Sequence, residues 1–170
     1  MLDARRHDFK ETGRSMLVLA AFIVVCFAAA SVGSLATIPQ TVSGGWYGTL
    51  DKLFFTPSAS VFGPVWTVLY LSMAVSAWLV WRREGFSGAQ AAMALFSAQL
   101  VLNLLWSVIF FGLEAPGLAL VEIVALWTAI LLTILAFSKI SRAAGWLLVP
   151  YLAWVTFATA LNAGIWWLNG

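Results

Sequence analysis

Residues 97–112 read SAQLVLNLLWSVIFFG. The run is apolar enough to live in lipid, yet Gln99 and Asn103 sit four residues apart in its middle and Trp106 follows three later. At helical spacing the three share one face. A primary amide left without a partner in hydrocarbon is expensive, so this stripe must face protein, ligand or trapped water. As interhelical glue such amides contribute roughly 0.6–2 kcal/mol. Either way, the helix has to be one member of a bundle.

Composition points the same way. Of 170 residues, 62% are hydrophobic and 9% charged, whereas a soluble domain carries about 25% charged residues. The chain therefore reads as an all-α integral membrane protein whose solvent is the lipid bilayer. The formal net charge of +2 makes no basic patch and argues against nucleic acid as a partner. A single cysteine, Cys26, excludes an internal disulfide and any multi-thiolate metal site, and the one histidine, His7, lies in the polar N-terminus. Tryptophan is the anomaly, with ten residues beside twelve Phe and three Tyr.

About 20 apolar residues cross a bilayer as a helix. Five segments qualify, at 16–38, 62–81, 89–112, 115–138 and 143–168, and they predict a bundle of five transmembrane helices preceded by a polar segment 1–15. Four carry no charged residue, and the fourth span carries Glu122. The first connector, 39–61, is long and rich in Gly, Ser, Thr and Pro. The others are short, so neighbouring helices should run antiparallel. Pro116 is placed to open the fourth span, where its missing N–H costs little. Arg5, Arg6, Lys10 and Arg14 ahead of an apolar run, with Ser34-Leu35-Ala36 behind, resemble a cleavable leader. The run 16–38 is long enough to span, so retention is expected. Arg82, Arg83, Lys139 and Arg142 join the N-terminal four on one side, against Lys52 alone on the other. The positive-inside rule then puts the N-terminus in the cytoplasm, with loop 39–61 and the C-terminus outside. Helical spans favour a bacterial inner membrane.

Two further spans carry stripes like that of the third. Phe62, Trp66, Tyr70 and Met73 recur at helical spacing in the second, and Tyr151, Trp154, Ala158 and Asn162 in the fifth. Converging, they would line a pocket with flat apolar walls and few polar anchors, suited to a planar apolar ligand. Trp81, Trp146, Trp166 and Trp167 lie near span ends and suit an interfacial belt; Trp106 lies too deep for one. Glu122 stands about two turns inside its helix. It can be protonated, reach the interface or pair with a neighbouring helix, and no second acid offers a proton relay.

Four blocks, WYGTLDK at 46–52, FGPVWTVLY at 62–70, QLVLNLLWSVIFFG at 99–112 and PYLAWVTFATALN at 150–162, resemble the TspO/translocator protein family, the tryptophan-rich sensory proteins or peripheral-type benzodiazepine receptors. The resemblance implies a five-helix, commonly dimeric protein. Its implied ligands are porphyrins (protoporphyrin IX or haem), sterols in animals, and synthetic isoquinoline carboxamides and benzodiazepines, with no required cofactor. It implies that Tyr47 helps close a pocket beneath the first loop, that Trp66 is a wall and that Asn103 bonds ligand. Trp154, Ala158 and Asn162 fall in the fifth-helix block, and Glu122 at an acidic position of the fourth helix. Phe62, Tyr70, Gln99, Trp106 and Phe110 complete the candidate set, with Gln99 assigned to tying helices beside Asn103.

The family's Lys-Pro-x-Trp-x-Pro-Pro loop run reads KLFFTPS here, which should loosen the loop. The animal sterol motif of Tyr then Lys/Arg is replaced by AGIWWLNG, so cholesterol is not expected as a physiological ligand. The leading functional expectation is a tetrapyrrole-binding sensor or regulator, with a role in porphyrin transport or stress signalling. A light-dependent porphyrin-degrading enzyme and a plain small-molecule transporter stand as alternatives. The sequence carries no nucleophile–base pair for hydrolysis and no inverted repeat or coupling-ion site for secondary transport. Ala94 and Ala98, offset from Gln99 by roughly 100–140° around the helix, form a small-xxx-small pair expected to seat a homodimer.

Overall fold

The computed structural model describes residues 2–42 and 44–170, with side chains from Thr12 onward. The side chains of Arg5, Arg6, His7 and Lys10 lie outside the described residues. Among the described residues five helices are long and apolar enough to cross a membrane. They are α1 (Leu2–Thr41), α3 (Ala59–Gly88), α4 (Gln90–Ser107), α5 (Pro116–Ile140) and α6 (Arg142–Asn169). A short helix α2 (Trp46–Thr49) lies in the first loop, and a π turn (Val108–Gly112) ends α4.

α1, α3 and α6 outrun their sequence-based bounds at both ends. α1 carries Pro39 in its last turn. Thr41 Oγ1 donates to the carbonyls of Thr37 and Ile38, each at 3.2 Å, and so satisfies acceptors that a helix end leaves open. α3 begins at Ala59 behind an extended Ser58. The free part of the first loop is therefore shorter than 39–61. At the other end of α3, Gly85 takes φ 64 and ψ −175 and breaks the helix, a conformation open to glycine. Pro116 begins α5 as the sequence predicts.

The helices close into a ring in the order α1, α3, α6, α5, α4, with α4 back against α1. In lipid no hydrophobic drive pulls helices together, so close packing and interhelical hydrogen bonds hold them. Ser72 and Ser76 Oγ donate to the carbonyls of Leu147 and Ala144, tying α3 to α6 at 2.5 and 2.7 Å. Trp78 Nε1 donates to Ser15 O at 2.9 Å, tying α3 to α1. α5 and α6 form a hairpin turning on Ser141, and buried Gly145 lies so close to Ser138 that a Cβ would overlap its Oγ. Gly145→Val should therefore overpack this seam and destabilise the protein by about 1–3 kcal/mol. A lowered melting temperature in detergent checks it; an unchanged one would mean the hairpin can spread.

Candidate functional site

In the half of the bundle nearest the first loop, α1, α3, α4 and α6 part around a cavity of about 460 Å³. Of the second-span stripe, Phe62, Trp66 and Tyr70 line one wall, and Met73 does not reach it. Trp66 lies 5.5 Å from Tyr70 and 6.2 Å from Tyr151 between ring centres. Trp154 and Ala158 bring the α6 wall, Asn103 and Trp106 the α4 wall, and Tyr47 comes down from the loop. Tyr47 packs on Phe111 at 5.6 Å, under Lys52 Nζ at 4.7 Å. Burial pushes the Tyr47 phenol up, so it stays protonated and able to donate at neutral pH.

The floor is a hydrogen-bonded layer. Tyr70 Oη donates to Asn103 Oδ1 at 2.5 Å, and Asn103 Nδ2 donates to Tyr151 Oη at 2.9 Å. One side chain of α4 thus ties α3 and α6. An asparagine amide has two donors and two lone pairs, so Asn103 keeps one N–H and one lone pair after both bonds. Below it, Met73 is fully buried and accepts a weak 3.8 Å bond from Gln99 Nε2, while Gln99 Oε1 has no partner among the described residues. Gln99 thus ties α4 to α3 only weakly, and Asn103, one turn nearer the cavity, makes the stronger ties.

Three of the candidate residues stand off the wall: Gln99, Phe110 and Asn162. Asn162 accepts from Trp106 Nε1 at 3.1 Å and donates to Pro116 O at 2.8 Å, so its amide joins α4, α5 and α6. Phe110 is displaced by the π turn, which closes with Leu113 N–H on Val108 O at 2.9 Å. In a π turn the fifth residue on, not the fourth, returns to the same face. Phe111 therefore follows Trp106 onto the wall, and Phe110 turns to Trp46 at 5.7 Å. Glu122 also lies off the wall, its carboxylate oxygens buried and without a partner among the described residues.

The α1 wall escaped the sequence reading. Ser31, Ser34, Thr37 and Thr41 line the cavity, and their spacing of three, three and four is one helical stripe. Each hydroxyl donates to a carbonyl of its own helix, as Ser31 does to Phe27 O at 2.8 Å, leaving lone pairs toward the cavity. Hydroxyls gathered in one half of a greasy helix were the available signal. Ser107 and Phe111 on the α4 side were missed as well.

A ring of membrane-spanning helices around an aromatic-walled internal cavity defines a multi-pass integral membrane protein with a pocket inside its bundle. Residues 22–168 match the TspO/MBR family. The chain is similar to the tryptophan-rich protein TspO of Archaeoglobus fulgidus, 41% identical over 155 residues that cover 91% of this chain and 99% of that one. The tryptophan-rich protein TspO of Chlorobaculum tepidum is 42% identical over 160 residues, covering 92% and 98%. The human translocator protein is 40% identical over 123 residues, covering 71% and 73%. The chain belongs to the TspO/MBR family.

Proposed function

We propose that this chain is a membrane receptor that binds porphyrins, protoporphyrin IX or haem, and other flat apolar ligands in the cavity beneath the first loop, with a role in tetrapyrrole transport or stress regulation. The observation that carries this reading is the pairing of aromatic walls with few polar anchors. Trp66, Trp106 and Trp154 present flat faces, while Asn103 keeps a spare donor and acceptor and Tyr47 keeps its hydroxyl. Such a site holds a planar ligand by its faces and orients it by its edge. Isoquinoline carboxamides and benzodiazepines suit the same walls.

Titration with protoporphyrin, haem and a sterol, followed by tryptophan fluorescence, tests it. Saturable quenching by the tetrapyrroles but not the sterol is expected; the opposite ranking would reject the reading. The three wall tryptophans favour one second reading, light-dependent porphyrin degradation, since each would border the macrocycle. Unchanged porphyrin spectra in light and dark mark a binder, and light-dependent bleaching to a defined product marks an enzyme.

The assigned topology places the N-terminus in the cytoplasm and the C-terminus in the periplasm of an inner membrane, on the strength of the basic-residue asymmetry. A periplasmic reporter fused at Gly170 should be active and a cytoplasmic one inactive; a mature protein starting near Thr37 would defeat this. The homodimer is assigned to the α4 face carrying Ala94 and Ala98, both exposed in the single chain. Replacing both with Leu should yield monomers that still bind protoporphyrin, and an intact dimer would discard this face.

A further inference from the structure

Two contacts set the register of α1 against α3: Trp78 Nε1 on Ser15 O toward the end far from the loop, and Phe27 against Tyr70 at 6.2 Å at the inner end of the cavity. Extending that antiparallel register toward the loop sets Ser31 and Ser34 opposite Gly63 and its neighbours. There the helices carry small side chains and the cavity lies between them. Ser31, Ile38, Gly63 and Thr67 line the cavity and are also exposed. Small residues at a helix seam ordinarily let backbones close up; here they border an open slot. Ser31 to Ile38 and Gly63 to Thr67 fall inside helices long and apolar enough to span, so the slot lies on the flank of the bundle that lipid would surround.

The loop side is held shut. Asn169 pairs with the backbone of Asp51 by two bonds, accepting from its N–H and donating to its carbonyl, both at 3.0 Å. Gln40 Oε1 accepts from Trp46 N–H at 3.1 Å, and its Nε2 reaches Glu114 Oε1 at 3.3 Å. Leu53 sits where a side chain at 164 would be: a Cβ on Gly164 would fall 2.6 Å from Leu53 Cγ. The loop run that lacks the family's prolines is thus fastened by the altered end of α6.

Resting on the reading of this cavity as a ligand site, we infer that ligand reaches it sideways from the bilayer, through the slot between α1 and α3, while the latched loop stays closed. The ligand class is then one dissolved in lipid, with its apolar faces solvated by acyl chains before it binds. The hydroxyls along α1 offer lone pairs to its polar edge as it slides in.

Two variants separate the routes, each built on Cys26→Ala. Gly63→Trp puts an indole at the edge of the slot, where a Cβ meets no described atom within 4 Å. Leu53→Cys with Gly164→Cys bridges the loop to α6, the two side chains being within disulfide reach. With protoporphyrin preloaded in the vesicle lipid, stopped-flow tryptophan quenching should slow about tenfold or more in Gly63→Trp. It should change less than about twofold in the bridged protein, whose equilibrium affinity should stay near that of the wild type because neither Leu53 nor Gly164 lines the cavity. A bridged protein that associates tenfold more slowly beside a Gly63→Trp protein at the wild-type rate would overturn the proposal. If the bridge does not form, Asn169→Ala serves: unlatching the loop should leave the rate unchanged, and clear acceleration overturns the proposal. Failure of the receptor reading shows separately, as no saturable quenching of the wild type. The route then still has its own readout, alkylation of Ala158→Cys by a long-chain maleimide dissolved in the bilayer. Gly63→Trp should slow that labelling, and labelling at the unmodified rate overturns the slot.

Discussion

Asn103→Leu is expected to lower both stability and ligand affinity. The substitution strands two tyrosine hydroxyls, Tyr70 and Tyr151, that other contacts keep in place. A buried hydroxyl without a partner costs about 1–3 kcal/mol in soluble proteins. Hydrogen bonds between membrane helices measure lower, about 0.6 kcal/mol on average and up to about 1.7, because the unfolded chain in lipid also finds partners. Two such bonds in one layer put the expected loss near 1–3 kcal/mol in total, offset slightly by the apolar leucine. A cycle identifies the cause. Adding Tyr70→Phe and Tyr151→Phe to Asn103→Leu should recover most of the lost melting temperature, since no polar group is then left unpaired. Removing the spare N–H and lone pair should also weaken protoporphyrin by about 5- to 150-fold. Early melting with wild-type affinity in the folded fraction would confine Asn103 to the frame.

Trp66→Ala should have the larger effect on binding. Trp66 is half-buried, lines the cavity and makes no hydrogen bond among the described residues, so its removal strands nothing. What is lost is a flat wall. Truncating a buried aromatic anchor costs about 2–4 kcal/mol, or roughly 30- to 1000-fold in protoporphyrin affinity. Melting of the ligand-free protein should fall far less than in Asn103→Leu. Trp66→Phe keeps most of the wall and should cost less than Trp66→Ala. Equal losses in the two variants would shift the role from the aromatic face to the indole N–H.

Much of this protein is legible in the linear sequence. Long uncharged runs can only be spans, because lipid leaves backbone groups no partner outside the helix. Pro116 marked a helix start, and the aromatic stripe of Phe62, Trp66 and Tyr70 marked a wall. That stripe could be read because a polar or aromatic line on a greasy helix must face something other than lipid. The same rule falls silent where the residues are merely apolar. Lipid and helix interior are then alike, so hydrophobic periodicity does not say which way the helix faces. The α1 wall went unread for another reason: its hydroxyls are satisfied within their own helix, so they need not face protein.

Three matters were settled by tertiary structure. The π turn after Ser107 shifted the phase of one helix, moving Phe111 to the cavity and Phe110 behind it. The meeting of three helices gave Asn103 two tyrosine partners and left Gln99 a sulfur, though the two amides share one stripe. Gly164 and Asn169 became fasteners for a loop more than a hundred residues away in sequence. Spacing along a helix determines which side chains point together. What they point at depends on the rotation and depth of neighbouring helices, which no single helix encodes.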